Sequence, residues 1–344
     1  MNTTPSKTTS PKTVLLTVAK FAVPVGIVWY LVSQIQPQQW SALQNSPKQY
    51  SLLAMALLIG LSATLLSYVR WWLLVRSHNI PLTPTEGIRL AAIGFLLNFV
   101  SIGAVGGDLF KAYFLARRTP GKKIEVFATA LVDRVVGLYG LLVVASVALW
   151  MIGDSLAGDD VTMIRAVVYT LTLAGAAFML GVVLGGSLID RALDRILNVP
   201  MVGPFVHRIA DPLRAFRHHT AAFMVTIGMS VVVHILLGVA IYFIAAGLYE
   251  HPPTLAEHMV IVPIANAVAG LPISLAGIGV FEGALDHLYA KLPTTPTDAS
   301  GTIVGLVYEI VKIAIAMIGI VFYWTGQREV RESFQAVAAS DDET

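Results

Sequence analysis

Four places in this chain set ionisable side chains inside hydrophobic sequence. Gly106-Gly107-Asp108 is followed three residues on by Lys111, and Asp133-Arg134 lies in the apolar run 126–152. Ser274, Gly277 and Gly279 lead into Glu282, and Glu309 precedes Lys312 in the run 302–325. A charge at the bilayer centre costs about 2.5–3.5 kcal/mol on insertion scales, so residues kept there are paired or used. The chemistry these types support is recognition of an anion. Glycines let the backbone turn tightly and approach a ligand. A half-helix that opens after them points free N–H groups and a partial positive charge at a phosphate, with Lys111 as reinforcement. Arg134 and Lys312 would then face an anionic headgroup, while Asp133 or Glu309 takes up a proton. The same residues also admit a structural reading. Asp133–Arg134 and Glu309–Lys312 would be ion pairs joining two halves of the protein, Asp108 and Glu282 would be helix caps, and Lys111 would snorkel to the cytoplasm.

Other chemistries find little support. The acids are spread over separate segments, with no nucleophile–base pair, so no catalytic residue and no enzyme activity is expected. There is no cysteine, which excludes thiolate chemistry and disulfides. His218-His219 and Asp159-Asp160 lack metal-ligand spacing, so no metal or other cofactor is expected. The stretch 103–111, GAVGGDLFK, lacks the GK[ST] ending and the preceding strand of a P-loop. His234 stands alone in an apolar run and reads as a hydrogen-bonded interior residue.

The elements that must position these residues belong to a membrane. Of 344 residues, 56% are hydrophobic and 13% charged, against about 25% charged in soluble domains; the mean hydropathy is +0.73. A spanning helix needs about twenty apolar residues. Six runs qualify: Val14–Ser33, Ser51–Val69, Val126–Ile152, Met163–Ile189, Ala222–Leu248 and Thr302–Thr325. Two further segments, 88–118 and 259–291, are broken by glycines. Their second halves have about eleven residues, too few to cross a core of about 30 Å. Each therefore reads as a re-entrant hairpin. Lys and Arg placement puts both termini in the cytoplasm and lets the two hairpins enter from opposite faces. In that scheme Arg70 and Arg76 close the second span, Asp154, Asp159 and Asp160 lie in an outer loop, and Trp71, Trp72, Trp150, Tyr323 and Trp324 are interface anchors.

The halves also match each other at a shift of about 171–175 residues. Pro81 to Glu86 falls on Pro252 to Glu257, Asp108 on Glu282, and Arg134 on Glu309. The expected fold class is an all-α polytopic membrane protein made of two inverted-topology repeats, with six spans and two hairpins. Its parts are a disordered cytoplasmic tail (1–12), repeat 1 (13–152), repeat 2 (163–326) and a polar cytoplasmic tail (327–344). Within repeat 2, residues 190–219 read as a linker, either a basic amphipathic helix on the headgroup surface or a solvated connection. Interrupted helices in matching positions of inverted repeats point to a transporter with its site near the midplane.

Three stretches carry a family resemblance: Gly107-Asp108-Leu109-Phe110-Lys111, the run 131–138 (LVDRVVGL), and Leu271 through Gly283 with its GIGVFEG end. The chain resembles the lysylphosphatidylglycerol synthase transmembrane region, the flippase-like domain family, from about Lys12 to Gln327. The resemblance implies a multi-pass protein of the bacterial inner membrane, related to the flippase half of bifunctional synthase/flippases. About nineteen polar residues follow Thr325, leaving no room within this sequence for the aminoacyltransferase domain of those relatives. Phe281 stands where relatives often carry Arg, which removes one candidate headgroup contact. The leading expectation is a lipid translocator working by alternating access, with a membrane lipid as substrate and the bilayer as its setting. A lipid- or glycan-modifying enzyme and a second copy of the chain are candidate partners; nucleic acid is not. An accessory subunit of a lipid- or glycan-assembly enzyme, an intramembrane enzyme acting on a lipid headgroup, and a small-solute or ion transporter are the alternatives.

Overall fold

The structure is a computed structural model that describes residues 29–30, 32–33, 35–99, 106–153, 159–185, 191, 215–271 and 277–325. These residues form ten α-helices and no strand. They are α1 (Pro37–Asn45), α2 (Tyr50–Ser77), α3 (Pro84–Asn98), α4 (Gly106–Arg118) and α5 (Lys123–Ile152), followed by α6 (Asp159–Leu184). A 3-10 turn at Ala215–His219 leads into α7 (Thr220–Leu248), α8 (Leu255–Ala269), α9 (Val280–Lys291) and α10 (Gly301–Thr325). Four helices are long and apolar enough to cross a membrane: α2, α5, α7 and the stretch Val161–Gly181 of α6. Helix α10 has 25 residues, about 37 Å of rise. The run Val14–Ser33 lies almost wholly outside the described residues, as does most of the linker 190–219.

The long helices bracket shorter ones that pack as antiparallel pairs. Thr83 caps α3 in a capping box, its hydroxyl accepting from the Glu86 amide while Glu86 Oε2 accepts from the Thr83 amide. Arg118, the last residue of α4, lies 4.0 Å from Glu86 Oε1. At the other end of the pair the Gly107 amide donates to Asn98 Oδ1 at 2.8 Å. Helices α8 and α9 follow the same plan. Thr254 and Glu257 form the capping box. Glu257 Oε1 then accepts from the amide of Thr294, just beyond α9, at 2.6 Å, and from its hydroxyl at 3.0 Å. Each short pair is thus tied at its base by one glutamate that serves both arms. With 12 to 15 residues per arm, the arms reach about 18–22 Å, short of a bilayer core. Glu257 is 2% exposed, so losing its cap partner is felt. Thr254→Ala is expected to cost about 1 kcal/mol, read as a lowered unfolding midpoint in detergent micelles. The loss with Thr83→Ala is expected to be smaller, because Glu86 is solvated.

The order long, short, short, long recurs. Helices α2 to α5 have 28, 15, 13 and 30 residues, and α7 to α10 have 29, 15, 12 and 25. Neighbour relations recur with it. As α2 packs on α3, α3 on α4 and α4 on α5, so α7 packs on α8, α8 on α9 and α9 on α10. The cross-contacts α5–α8 and α5–α7 have counterparts in α10–α3 and α10–α2. Helices α2 and α7 lie against each other and run antiparallel. Their ends are joined by the Gln49 amide donating to the Gly247 carbonyl at 3.0 Å, and further along by Arg70 and Ser230. At the far end the His78 ring packs on Phe216 and faces His219.

Three features differ from the sequence expectation. Helix α2 does not close at Arg70 but continues to Ser77, because Trp71-Trp72-Leu73-Leu74-Val75 extends its apolar surface. Trp71 is fully buried rather than an interface anchor. Its neighbour Trp72 sends its indole N–H to the Leu82 carbonyl at 3.0 Å. Asp159 and Asp160, expected in a loop, form the first turn of α6, where acidic residues suit the helix dipole. In the linker, Phe216 is fully buried against His78 and Phe223.

Candidate functional site

Five charged side chains from three helices converge where α4 packs on α5. Glycine makes the approach of α4 to α3 achievable. A Cβ at Gly107 would sit 1.9 Å from the Gly94 carbonyl oxygen, so the two backbones touch there. That contact sets the first turn of α4 with Asp108 and Lys111 turned toward α5. Lys111 Nζ lies 2.8 Å from Asp108 Oδ1, one helical turn away, and 3.5 Å from Asp133 Oδ2 on α5. It also lies 4.8 Å from the centroid of the Trp71 ring, a cation–π contact. Asp133 in turn accepts from Arg70 Nε of α2 at 2.8 Å. Arg70 sends a second N–H to Ser230 Oγ of α7 at 3.0 Å. Arg134, about 100° further round α5, donates from Nε to Asp108 Oδ2 at 2.7 Å.

The chain-neighbour pair Asp133–Arg134 of the structural reading is therefore replaced by a network that crosses helices. Lys111 does not snorkel: it is 7% exposed. The Arg70, Lys111 and Asp133 side chains are nearly sealed, whereas those of Asp108 and Arg134 are 20% and 32% exposed. These five residues line a cavity of about 360 Å³ together with Asn98, His234 and Asn266, a size that accommodates a small polar group. Among the described residues, three cations face two carboxylates here, a local surplus of one positive charge. His234 Nε2 lies 3.0 Å from the Gly137 carbonyl, which agrees with an interior hydrogen-bonded role.

A second cavity of about 220 Å³ adjoins the first. Phe95, Asn98, Asn266 and Gly270 line both, and Phe99, Ala269, Phe281 and Lys312 complete the second. Lys312 Nζ lies 2.5 Å from Glu309 Oε1, one turn away on α10, and reaches over the rings of Tyr308 and Phe281. Gly277 and Gly279 have φ of 80° and 84°, left-handed conformations that favour glycine. Glu282 follows them into the first turn of α9. Its Oε2 accepts from the Gly279 amide at 2.6 Å, and the residue is fully buried.

The comparisons with known proteins bear on this arrangement. The family model of the lysylphosphatidylglycerol synthase TM region matches residues 16–319. The chain belongs to this family. No curated protein and no solved structure gives a significant match. Family membership and the long apolar helices together make this a multi-pass membrane protein related to lipid modification or transport. Two of the family-like stretches carry the first charge network: residues 107–111 on α4 supply Asp108 and Lys111, and 131–138 on α5 supply Asp133 and Arg134.

Of the residues singled out from sequence, Asp108, Lys111, Asp133 and Arg134 come together around the larger cavity. Gly106 opens α4, and Gly107 serves the contact with α3. Lys312 faces the smaller cavity. Glu282 and Glu309, on α9 and α10, do not line it, and Ser274 lies outside the described residues. Sequence reasoning missed Arg70, Ser230, Asn98 and Asn266. For Arg70 a signal existed, since five apolar residues separate it from the basic end of its helix at Arg76.

Proposed function

We propose that the protein is a lipid translocator of the bacterial inner membrane. It moves an anionic or headgroup-modified phospholipid between leaflets by alternating access, without chemistry on the lipid. The observation that carries this reading is the cavity whose charge network, among the described residues, holds three cations and two carboxylates. An interior positive charge is costly in a membrane protein and is met most directly by an anionic ligand group. The architecture supports it. We read α2–α5 and α7–α10 as inverted repeats, because they share order, lengths and neighbours while their lead helices run antiparallel. Their short pairs act as re-entrant hairpins whose inner ends meet around the two cavities, the arrangement in which alternating access works around a central site. Of the charged residues around it, Arg134 and Asp108 are the more exposed pair and Arg70 and Asp133 the more buried.

The test is reconstitution of the full chain into vesicles with headgroup-labelled lipids on one leaflet. Transfer is expected for an anionic phospholipid, and Lys111→Ala or Arg134→Ala should reduce it at least about tenfold, the factor that corresponds to about 1.4 kcal/mol. Wild-type protein that moves no member of a panel of anionic, zwitterionic and aminoacylated lipids would overturn the proposal.

A further inference from the structure

The charge surplus of the first series has an opposite in the second. Around the larger cavity Arg70, Lys111 and Arg134 outnumber Asp108 and Asp133. On α9 and α10, Glu282 and Glu309 outnumber Lys312. Glu282 is fully buried, and only one of its oxygens is hydrogen-bonded; Oε1 has no partner among the described residues. It is pressed onto α10, where a Cβ at Gly305 would lie 2.8 Å from its Cγ. Glu309 is one turn beyond Gly305 on that helix and is 6% exposed. Lys312, one further turn along α10, lies 2.5 Å from Glu309 Oε1.

Several other ionisable groups on the packed elements are engaged elsewhere. Glu257 and His258 sit at the opposite end of α8, bonded to Thr254, Thr294 and Tyr289. Asp286 on α9 accepts from the Thr302 amide. On α2, Arg70 belongs to the first network, and Glu86 on α3 is a cap. Tyr308 lies beneath Lys312.

Two carboxylates and one ammonium in a water-poor interior carry a net negative charge unless one proton is bound. Like-charged acids in one site do not both ionise readily. We propose that Glu282 and Glu309 share a proton-binding site, coupled to occupancy of the cationic cavity in the other half. The coupling rests on the translocator reading; the proton site does not. A proton from the aqueous phase converts one carboxylate to a carboxylic acid, with Lys312 retained as partner of the other. With an anion in the first cavity and a proton in the second, both local charge surpluses disappear together. The carried load is then an anion plus a proton, moved without net charge.

Two measurements on the full chain separate the parts of this proposal. Infrared difference spectroscopy of lipid-embedded protein is expected to show the carbonyl band of a protonated carboxyl near neutral pH. Glu282→Gln, which keeps the acceptor for the Gly279 amide, removes the band. Glu309→Gln, which leaves Glu282 to pair with Lys312, removes it as well. A band of unchanged intensity in both variants, or none in the wild type between about pH 5 and 8, overturns the site. In vesicles, a pH gradient is expected to change wild-type lipid transfer at least about threefold and to leave residual transfer by Glu282→Gln unchanged. Wild-type transfer indifferent to the gradient overturns the coupling while leaving the translocator reading intact. Absence of all transfer removes the coupling together with that reading, and the infrared band then decides the proton site by itself.

Discussion

Replacing Asp133 by Asn is expected to destabilise the protein by about 3–5 kcal/mol, the usual cost of depriving buried charges of their partner. Asp133 serves both Arg70 at 2.8 Å and Lys111 at 3.5 Å. Without it three cations are left to Asp108, and the surplus in the network rises from one charge to two. The expected reading is a large fall in the midpoint of unfolding by heat or by SDS in mixed micelles. Arg70→Gln acts in the opposite direction on the charge balance, bringing the network to neutrality while leaving Lys111 on Asp133. Its cost is expected to be smaller. The double variant Asp133→Asn with Arg70→Gln should be more stable than the sum of the single losses predicts, with a coupling of about 0.5–3 kcal/mol. If Asp133→Asn stays within about 0.5 kcal/mol of wild type, Arg70 and Lys111 are solvated and the cavity is not a low-dielectric site.

Gly107→Ala is the second large effect. The added methyl would lie 1.9 Å from the Gly94 carbonyl oxygen, 2.5 Å from its carbon and 2.7 Å from Asn98 Oδ1. Two of these three atoms are backbone, so no side-chain rotation relieves the clash and the arms of the first short pair must part. Overpacking of a well-filled contact costs about 1–3 kcal/mol, occasionally more, and the upper end is expected here because the backbone itself has to move. Separation of α4 from α3 also displaces Asp108 and Lys111 relative to α5, so the lipid transfer proposed above should fall with stability. Gly228→Ala is the matching control. Nothing lies within 4 Å of a Cβ there, and alanine in the interior of α7 is expected to be neutral or stabilising by up to about 1 kcal/mol.

Much of this arrangement can be read in the sequence where the signal is local. The glycines of 103–107 and 277–279 mark the breaks between arms, and Thr-Pro-Thr-Glu and Thr-Leu-Ala-Glu mark the starts of α3 and α8. Hydropathy locates α2, α5, α6 and α7. What stays hidden is the partner choice of each charge. Asp133 lies next to Arg134, and proximity in the chain suggests that they pair. Yet on a helix adjacent side chains diverge by about 100°, so each reaches a different neighbour. Arg70 is concealed for a related reason. A base late in an apolar run reads as a membrane-face marker, and only the packing of α2 on α5 and α7 shows that its guanidinium turns inward. Glu282 illustrates the converse, since its role as a helix cap is legible in the sequence, while its burial against Gly305 depends on how α9 meets α10.

The glutamates at the base of each short helix pair have a mechanical consequence. Glu86 and Glu257 hold the outer ends of both arms together, while the inner ends border the cavities. An arm held at one end is a lever with its fulcrum at that end. For an arm about 22 Å long, a rotation of about 10° at the base sweeps the inner end through about 4 Å, more than the length of an ion-pair contact. Small angular changes at the tied end are therefore enough to make or unmake the contacts of Lys111 and Asp108 with α5.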